Sequence, residues 1–263
     1  MLADYHIHTS FSNDSEVKME DYVRRAIQMK FDEICFTEHI DYGVPEDICD
    51  CRKYHEEYLR CKELYRNQIS LKFGIEFGVQ THTIKEYEKT FSEYPFDFIL
   101  LSCHQADDRE FHKLNLFSGM NQDQYNRCYY EELLNVAKNY TDYSVMAHLD
   151  MIRRYDPWGD YPFEKVKSII TEILKTAIAE GKGIEINTSS FKYHLKDLTP
   201  SRDILRLYHN LGGRILTFGS DSHQLERLGS MIPEMQKEAV SLGFTEFCTF
   251  EKMEPVFHKL TVN

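Results

Sequence analysis

Leu2-Ala3-Asp4-Tyr5-His6-Ile7-His8 is a short β-type run that ends in two imidazoles one residue apart, and the same pattern returns along the chain. β-rich stretches are expected at residues 2–6, 33–37, 71–77, 97–102, 144–147, 183–186 and 214–218. They carry or run into His6-Ile7-His8, Glu38-His39, Glu76, Cys103-His104, His148-Leu149-Asp150, Asn187-Thr188-Ser189-Ser190 and Gly219-Ser220-Asp221-Ser222-His223. Helical patterns fill the intervals, at 19–29, 54–65, 123–139, 163–180, 202–210 and 234–241. In the fourth of these, Val166, Ile169, Ile170, Ile173, Leu174 and Ile178 make one apolar stripe, and Gly181 stops it. Such alternation predicts an α/β fold with a parallel sheet. Polar groups gather at every predicted C-terminal strand end, so the sheet is expected to close. A barrel brings those ends to one mouth, whereas an open sheet spreads them along an edge. A last β-type run, 244–250, is expected to pack at the end of the barrel.

No Pro/Gly/Ser-rich linker or internal repeat divides the 263 residues, so a single domain over residues 1–263 is expected. α/β barrels of roughly 250 residues commonly form one unit. With 31 Lys+Arg against 43 Asp+Glu the formal charge is −12, which lacks the basic footprint of a polynucleotide binder. An anionic small molecule remains compatible, because bound cations reverse the local field. No apolar run reaches the roughly 20 residues of a membrane span, and the first residues have neither the basic nor the apolar part of a secretion signal. Seven cysteines form a poor disulfide framework; Cys49, Cys51 and Cys61 have no second pair at zinc-finger spacing. A cytoplasmic protein is expected.

Six of the 12 histidines, His6, His8, His39, His104, His148 and His223, fall at strand ends together with Asp14, Glu76 and Asp221. On an extended strand His6 and His8 share a face, as do Asp221 and His223. Imidazole with carboxylate and no thiolate suits catalytic zinc, manganese or iron better than a structural zinc. Three divalent ions held by three carboxylates would leave a formal charge of about +3, which a phosphate dianion and a hydroxide neutralise. Metal ions also acidify water, supplying a nucleophile without Ser or Cys. Metal-assisted hydrolysis of a phosphate ester follows from these residue types.

The set His6-x-His8, Asp14, Thr37-Glu38-His39, Gly74-Ile75-Glu76, Ser102-Cys103-His104, Ala147-His148 and Ser220-Asp221-Ser222-His223 resembles the PHP (polymerase and histidinol phosphatase) family over nearly the whole chain. The resemblance implies a distorted (β/α)7 barrel with a trinuclear metal cluster at its mouth. By that likeness His6, His8, Glu76 and Asp221 would hold one ion. Glu76 would bridge to a second, completed by His104 and His148, while Asp14, His39 and His223 would hold the third. Within the family the likeness is to the monofunctional histidinol-phosphate phosphatases, through Phe36-Thr37-Glu38-His39 with Asp41-Tyr42, His148 to Arg154, and Glu185-Ile186-Asn187-Thr188-Ser189. The implied activity is hydrolysis of L-histidinol phosphate in histidine biosynthesis, by attack of a metal-bridging hydroxide on phosphorus. Asp14 stands where other members carry His; it is a ligand, a proton donor to the leaving oxygen, or both.

Of Arg153 and Arg154, one is expected to bind the phosphoryl oxygens through its planar fork, with Arg153 preferred. Two long segments follow the second and fourth strands. Residues 41–65 contain Tyr42, Tyr54, His55, Tyr58 and Tyr65, and residues 105–120 contain Asp107, Asp108 and Glu110. Either they hold the imidazole and ammonium of the substrate, or the tyrosines pack a helix and the acids are solvated. The competing activities are phosphoester hydrolysis of another small ester, nucleotide or oligonucleotide, and metal binding without catalysis. No heptad or apolar edge marks an oligomer interface, and neither a nucleic-acid nor a membrane partner is expected.

Overall fold

The structure, a computed structural model, describes residues 1–261. In chain order the elements are β1 (Ala3–Asp4), α1 (Met19–Gln28), β2 (Glu33–Phe36), β3 (His39–Ile40), α2 (Cys51–Tyr65), β4 (Ser70–Gly78), α3 (Ile84–Glu93) and β5 (Phe98–Ser102). There follow β6 (Gln105–Ala106), β7 (Arg109–Glu110), α4 (Gln122–Asn139), β8 (Val145–Met146), α5 (Phe163–Ala179) and β9 (Gly183–Asn187). The chain ends with α6 (Arg202–Asn210), β10 (Leu216–Gly219), α7 (Ile232–Ser241), β11 (Glu246–Glu251) and β12 (Glu254–Lys259). The parallel strands follow the order β1-β2-β4-β5-β8-β9-β10, with β3 also on β4. Backbone bonds join the first strand to the last: Tyr5 N–H donates to Phe218 (3.0 Å), His8 N–H to Ser222 (2.9 Å) and Ser222 N–H to His6 (3.2 Å). The sheet is thereby nearly closed into a barrel, as the strand-end polarity predicts.

Both faces of the strands are buried, which explains runs such as Phe98-Ile99-Leu100-Leu101. Inside the barrel, near the strand starts, Ala3, Tyr5, Cys35, Phe98, Leu100 and Val145 pack with Cys248 and Phe250 of β11. The expected terminal strand is real, but it pairs antiparallel with β12, and this hairpin stops the end opposite the polar mouth. Three elements differ from expectation. Helix α2 starts at Cys51, because the Asp50 side chain accepts the Lys53 N–H and caps it. Helix α3, with Ile84, Tyr87 and Phe91 at helical spacing, is absent from the expected elements, and the β6–β7 hairpin has strands of two residues, too short to show alternation. No helix among the described residues is long and apolar enough to cross a membrane.

The tyrosines of α2 follow the packing alternative. Tyr54, Tyr58 and Tyr65 are buried, and the Tyr54 hydroxyl lies 2.9 Å from the carbonyls of both Phe36 and Gly74, on neighbouring strands. Tyr54→Phe is expected to lower unfolding stability by about 1–3 kcal/mol, since a buried carbonyl loses its donor. Urea denaturation checks this; an unchanged midpoint would remove the role.

Candidate active site

Glu76 lies in register with His39 of β3 and Leu100 of β5, so its carboxylate enters the barrel mouth. Five imidazoles surround it. Oε2 is 3.1 Å from His6 Nε2, 3.2 Å from His8 Nε2 and 3.2 Å from His39 Nδ1. Oε1 is 2.9 Å from His148 Nε2 and 3.3 Å from His104 Nε2, and it accepts the Ser102 hydroxyl at 2.5 Å. Asp221 Oδ1 stands 3.7 Å from His6 and 3.6 Å from His223 Nδ1. Asp14 Oδ2 is 2.8 Å from His223 Nε2 and 3.7 Å from His39 Nε2. All nine ligand-type residues singled out in the sequence therefore meet at one mouth. His148 and Asp221 do so with positive φ, at +25° and +54°, a backbone cost of the sort that functional sites retain.

Several of these groups lack a hydrogen-bond partner among the described residues. His8 Nε2, His39 Nδ1, His148 Nδ1 and His223 Nε2 are buried without one, and the His8 ring stacks on those of His39 and His223 at 4.1 and 4.2 Å. Crowding orphaned nitrogens this way is costly unless cations occupy the spaces between them. Donor atoms of His6/His8/Glu76, His6/His148/Asp221, His39/Glu76/His104 and His8/His39/His223 lie within 4.8 Å of one another in each group. The donor set fits metal ions.

The carboxylates of the site call for positive charge: against the opposing effect of burial they push the imidazoles of His6, His39 and His104 up, so a cation bound there displaces protons. Burial opposes the charge on Glu76, yet His6, His39 and His104 hold its carboxyl well below the usual range. Burial, together with His39 and His223, pushes the His8 imidazole well down, leaving it neutral as a ligand must be. Asp14 is also held down: burial is outweighed by the neighbouring imidazoles of His223 and His39.

The residues behind the cluster fix its imidazoles. His6 Nδ1 lies 2.7 Å from Glu185 Oε1, and the second oxygen of Glu185 accepts the His148 backbone N–H at 3.0 Å. His104 Nδ1 lies 2.8 Å from Asp41 Oδ1. Ser12 donates to buried Glu38 at 2.7 Å and contacts His8 Nδ1 at 3.2 Å. Carboxylates behind ligating histidines set the tautomer and aim the opposite nitrogen inward. Two glycines make room for them. A Cβ on Gly78 would stand 1.8 Å from Asp41 Oδ1, and one on Gly219 2.0 Å from Glu185 Oε1. Asp150, by contrast, turns from His148 to accept Arg153 and the Ser201 N–H, each at 2.9 Å.

The two arginines expected near the phosphate point to different places. Arg153 is spent on Asp150 and on the Leu198 carbonyl (2.8 Å), away from the mouth. Arg154 lines a cavity of about 920 Å³ beside His148, Asp221 and His223. Its guanidinium reaches Ser189 Oγ (2.6 Å), Asn187 Oδ1 (3.2 Å) and Asp221 Oδ2 (3.3 Å), lies over the Tyr193 ring at 4.7 Å, and keeps a buried Nε without a partner among the described residues. The polar end of β9 thus serves to hold Arg154 and Asp221.

The PHP domain family model matches residues 4–189. This chain belongs to the PHP domain family. Among its relatives, the histidinol-phosphatase of Lactococcus lactis subsp. lactis (strain IL1403) is 32% identical over 256 residues, covering 95% of each chain. A probable histidinol-phosphatase of Clostridium acetobutylicum is 31% identical over 237 residues, covering 87% of this chain and 89% of that protein. The crystal structure of the Lactococcus lactis histidinol phosphate phosphatase complexed with zinc, L-histidinol and phosphate superposes with a TM-score of 0.87. It is 30% identical and covers 97% of this PHP chain and 98% of its own. A putative histidinol phosphatase from Listeria monocytogenes shares the PHP fold at a TM-score of 0.74 and 20% identity, covering 87% of this chain and 97% of its own.

Proposed function

We propose that this chain hydrolyses L-histidinol phosphate to L-histidinol and phosphate, a step of histidine biosynthesis, with residues 1–263 acting as one unit. One observation carries the reading: four imidazoles (His39, His104, His148 and His223) and three carboxylates line one cavity with Arg154, with His6 and His8 buried against Glu76 behind them, in a chain 32% identical to a histidinol-phosphatase along its length. Three divalent ions, drawn from zinc, manganese and iron, would be held by His6, His8, Glu76 and Asp221, by Glu76 with His104 and His148, and by Asp14, His39 and His223. When bound, such ions neutralise phosphoryl oxygens and acidify water into a nucleophile.

The chain's own groups do the rest. Glu185 and Asp41 aim the imidazoles of His6 and His104. Arg154, anchored on Ser189, presents a planar fork to the phosphoryl oxygens and offsets charge as it develops there. We assign Asp14 to ligation of the third ion, because its Oδ2 stands beside His223 Nε2 (2.8 Å) and His39 Nε2 (3.7 Å), the other two donors of that ion. A cytoplasmic setting is supported by the seven free thiols.

The test is steady-state hydrolysis of a phosphomonoester panel and a short oligonucleotide, with metal analysis of the same sample. Histidinol phosphate is expected to exceed the other esters in kcat/KM by at least about tenfold. Equal turnover of all esters, or preference for the oligonucleotide, would defeat the reading, as would bound metal without turnover.

A further inference from the structure

We infer that Asp47 is the specificity-determining residue that receives the substrate's ammonium group. This rests on the histidinol-phosphate reading of the same cavity. In that substrate the amine sits two carbons from the ester oxygen. A phosphate held by the metal site therefore leaves the ammonium only a few bonds from the cluster, within the same cavity.

The wall carries four acids beyond the cluster and the residues supporting it: Glu16, Asp47, Glu110 and Glu226. They are not equivalent. Glu16 and Glu226 are exposed, and water screens a carboxylate there. Glu110 is buried but already paired with Lys113. Asp47 is half-buried, lines the cavity, and has no Lys, Arg or His ion-pair partner among the described residues. Its neighbours are mostly of like charge: burial first, then the carboxylates of Asp41, Asp14 and Glu110, push its own carboxyl up, against the opposing charges of His39 and of Lys113, itself paired with Glu110. A partly desolvated carboxylate facing a cavity and pressed by other anions is relieved by a cation entering that cavity.

The loop holds Asp47 firmly in that position. The Asp41 N–H donates to the Asp47 carbonyl and the Asp47 N–H to Val44, both at 2.9 Å, while Cys49 N–H returns to His39 at 3.0 Å. The Pro45–Asp47 turn is thus pinned to the strand that bears His39, so little ordering remains to be done on binding. The same loop joins the metal centre to the ammonium position, which couples recognition of the alcohol to placement of the phosphate.

The test compares L-histidinol phosphate with its des-amino analogue, 3-(imidazol-4-yl)propyl phosphate, on wild type, Asp47→Asn and Asp47→Glu. The wild-type ratio of kcat/KM between the two esters is expected to fall by about 10- to 100-fold in Asp47→Asn, mainly through KM, and to be largely retained in Asp47→Glu. Metal content measured on each sample separates recognition from damage to the cluster. If Asp47→Asn keeps the wild-type ratio, or loses both esters alike, Asp47 has no such role and the phosphatase assignment stands. If wild type hydrolyses neither ester, the assignment fails and takes this inference with it.

Discussion

Glu76→Gln is expected to lose both bound metal and turnover. Mutating the partners behind metal ligands typically costs about 10- to 100-fold in affinity or activity. Glu76 stands in front of such partners and contacts five imidazoles at 2.9–3.3 Å, so its loss should exceed the top of that range. The amide preserves shape but removes the charge around which those rings are arranged, and its NH₂ group turns a donor toward nitrogens that need a cation. Metal quantification and kcat on the purified variant test this together. Retained metal with turnover within tenfold of wild type would show that the carboxylate is not the centre of the cluster.

Arg154→Ala is expected to lower kcat for histidinol phosphate by about 10²- to 10³-fold, the range seen when one preorganised donor to developing charge is removed. Arg154→Lys should recover only part of this, because an ammonium cannot reproduce the planar fork that Ser189 and Asn187 hold in place. Arg154 also stands 3.3 Å from Asp221, so metal content is the control: a loss of kcat with full metal assigns the effect to phosphate. Arg153→Ala, which strips buried Asp150 of its partner, should destabilise the fold while sparing kcat. A kcat for Arg154→Ala within threefold of wild type, with metal intact, would overturn the assignment.

The meeting of nine ligand-type side chains is legible in the sequence because strand parity and barrel geometry are both regular. His6 and His8 share a face by period two, and every strand delivers its C-terminal end to the same mouth. The choice between adjacent arginines is not legible that way. Residues Met151–Arg154 form a 3₁₀ turn, in which neighbours diverge by about 120°, so Arg153 and Arg154 leave in different directions. Helix α3 is legible, since Ile84, Tyr87 and Phe91 stand three and four residues apart on one face, yet it is missing from the expected elements. The carboxylates behind the cluster left a weaker signal: Glu185 is an acid in an otherwise apolar buried strand, in phase with Asn187. Asp41 follows His39 by two residues, but its contact with His104 depends on the absence of a side chain at Gly78, which only three-dimensional packing reveals.

The seam between β1 and β10 has a consequence for biosynthesis. A ribosome releases His6, His8, His39, Glu76, His104 and His148 long before Asp221 and His223 exist, and until β10 emerges the edge that bears Tyr5 and His8 has no neighbour. Cation capture at full denticity is therefore an event of the finished polypeptide. A product cut short before residue 214 would present a histidine-rich open edge, inviting aggregation and stray metal instead of yielding a weaker enzyme.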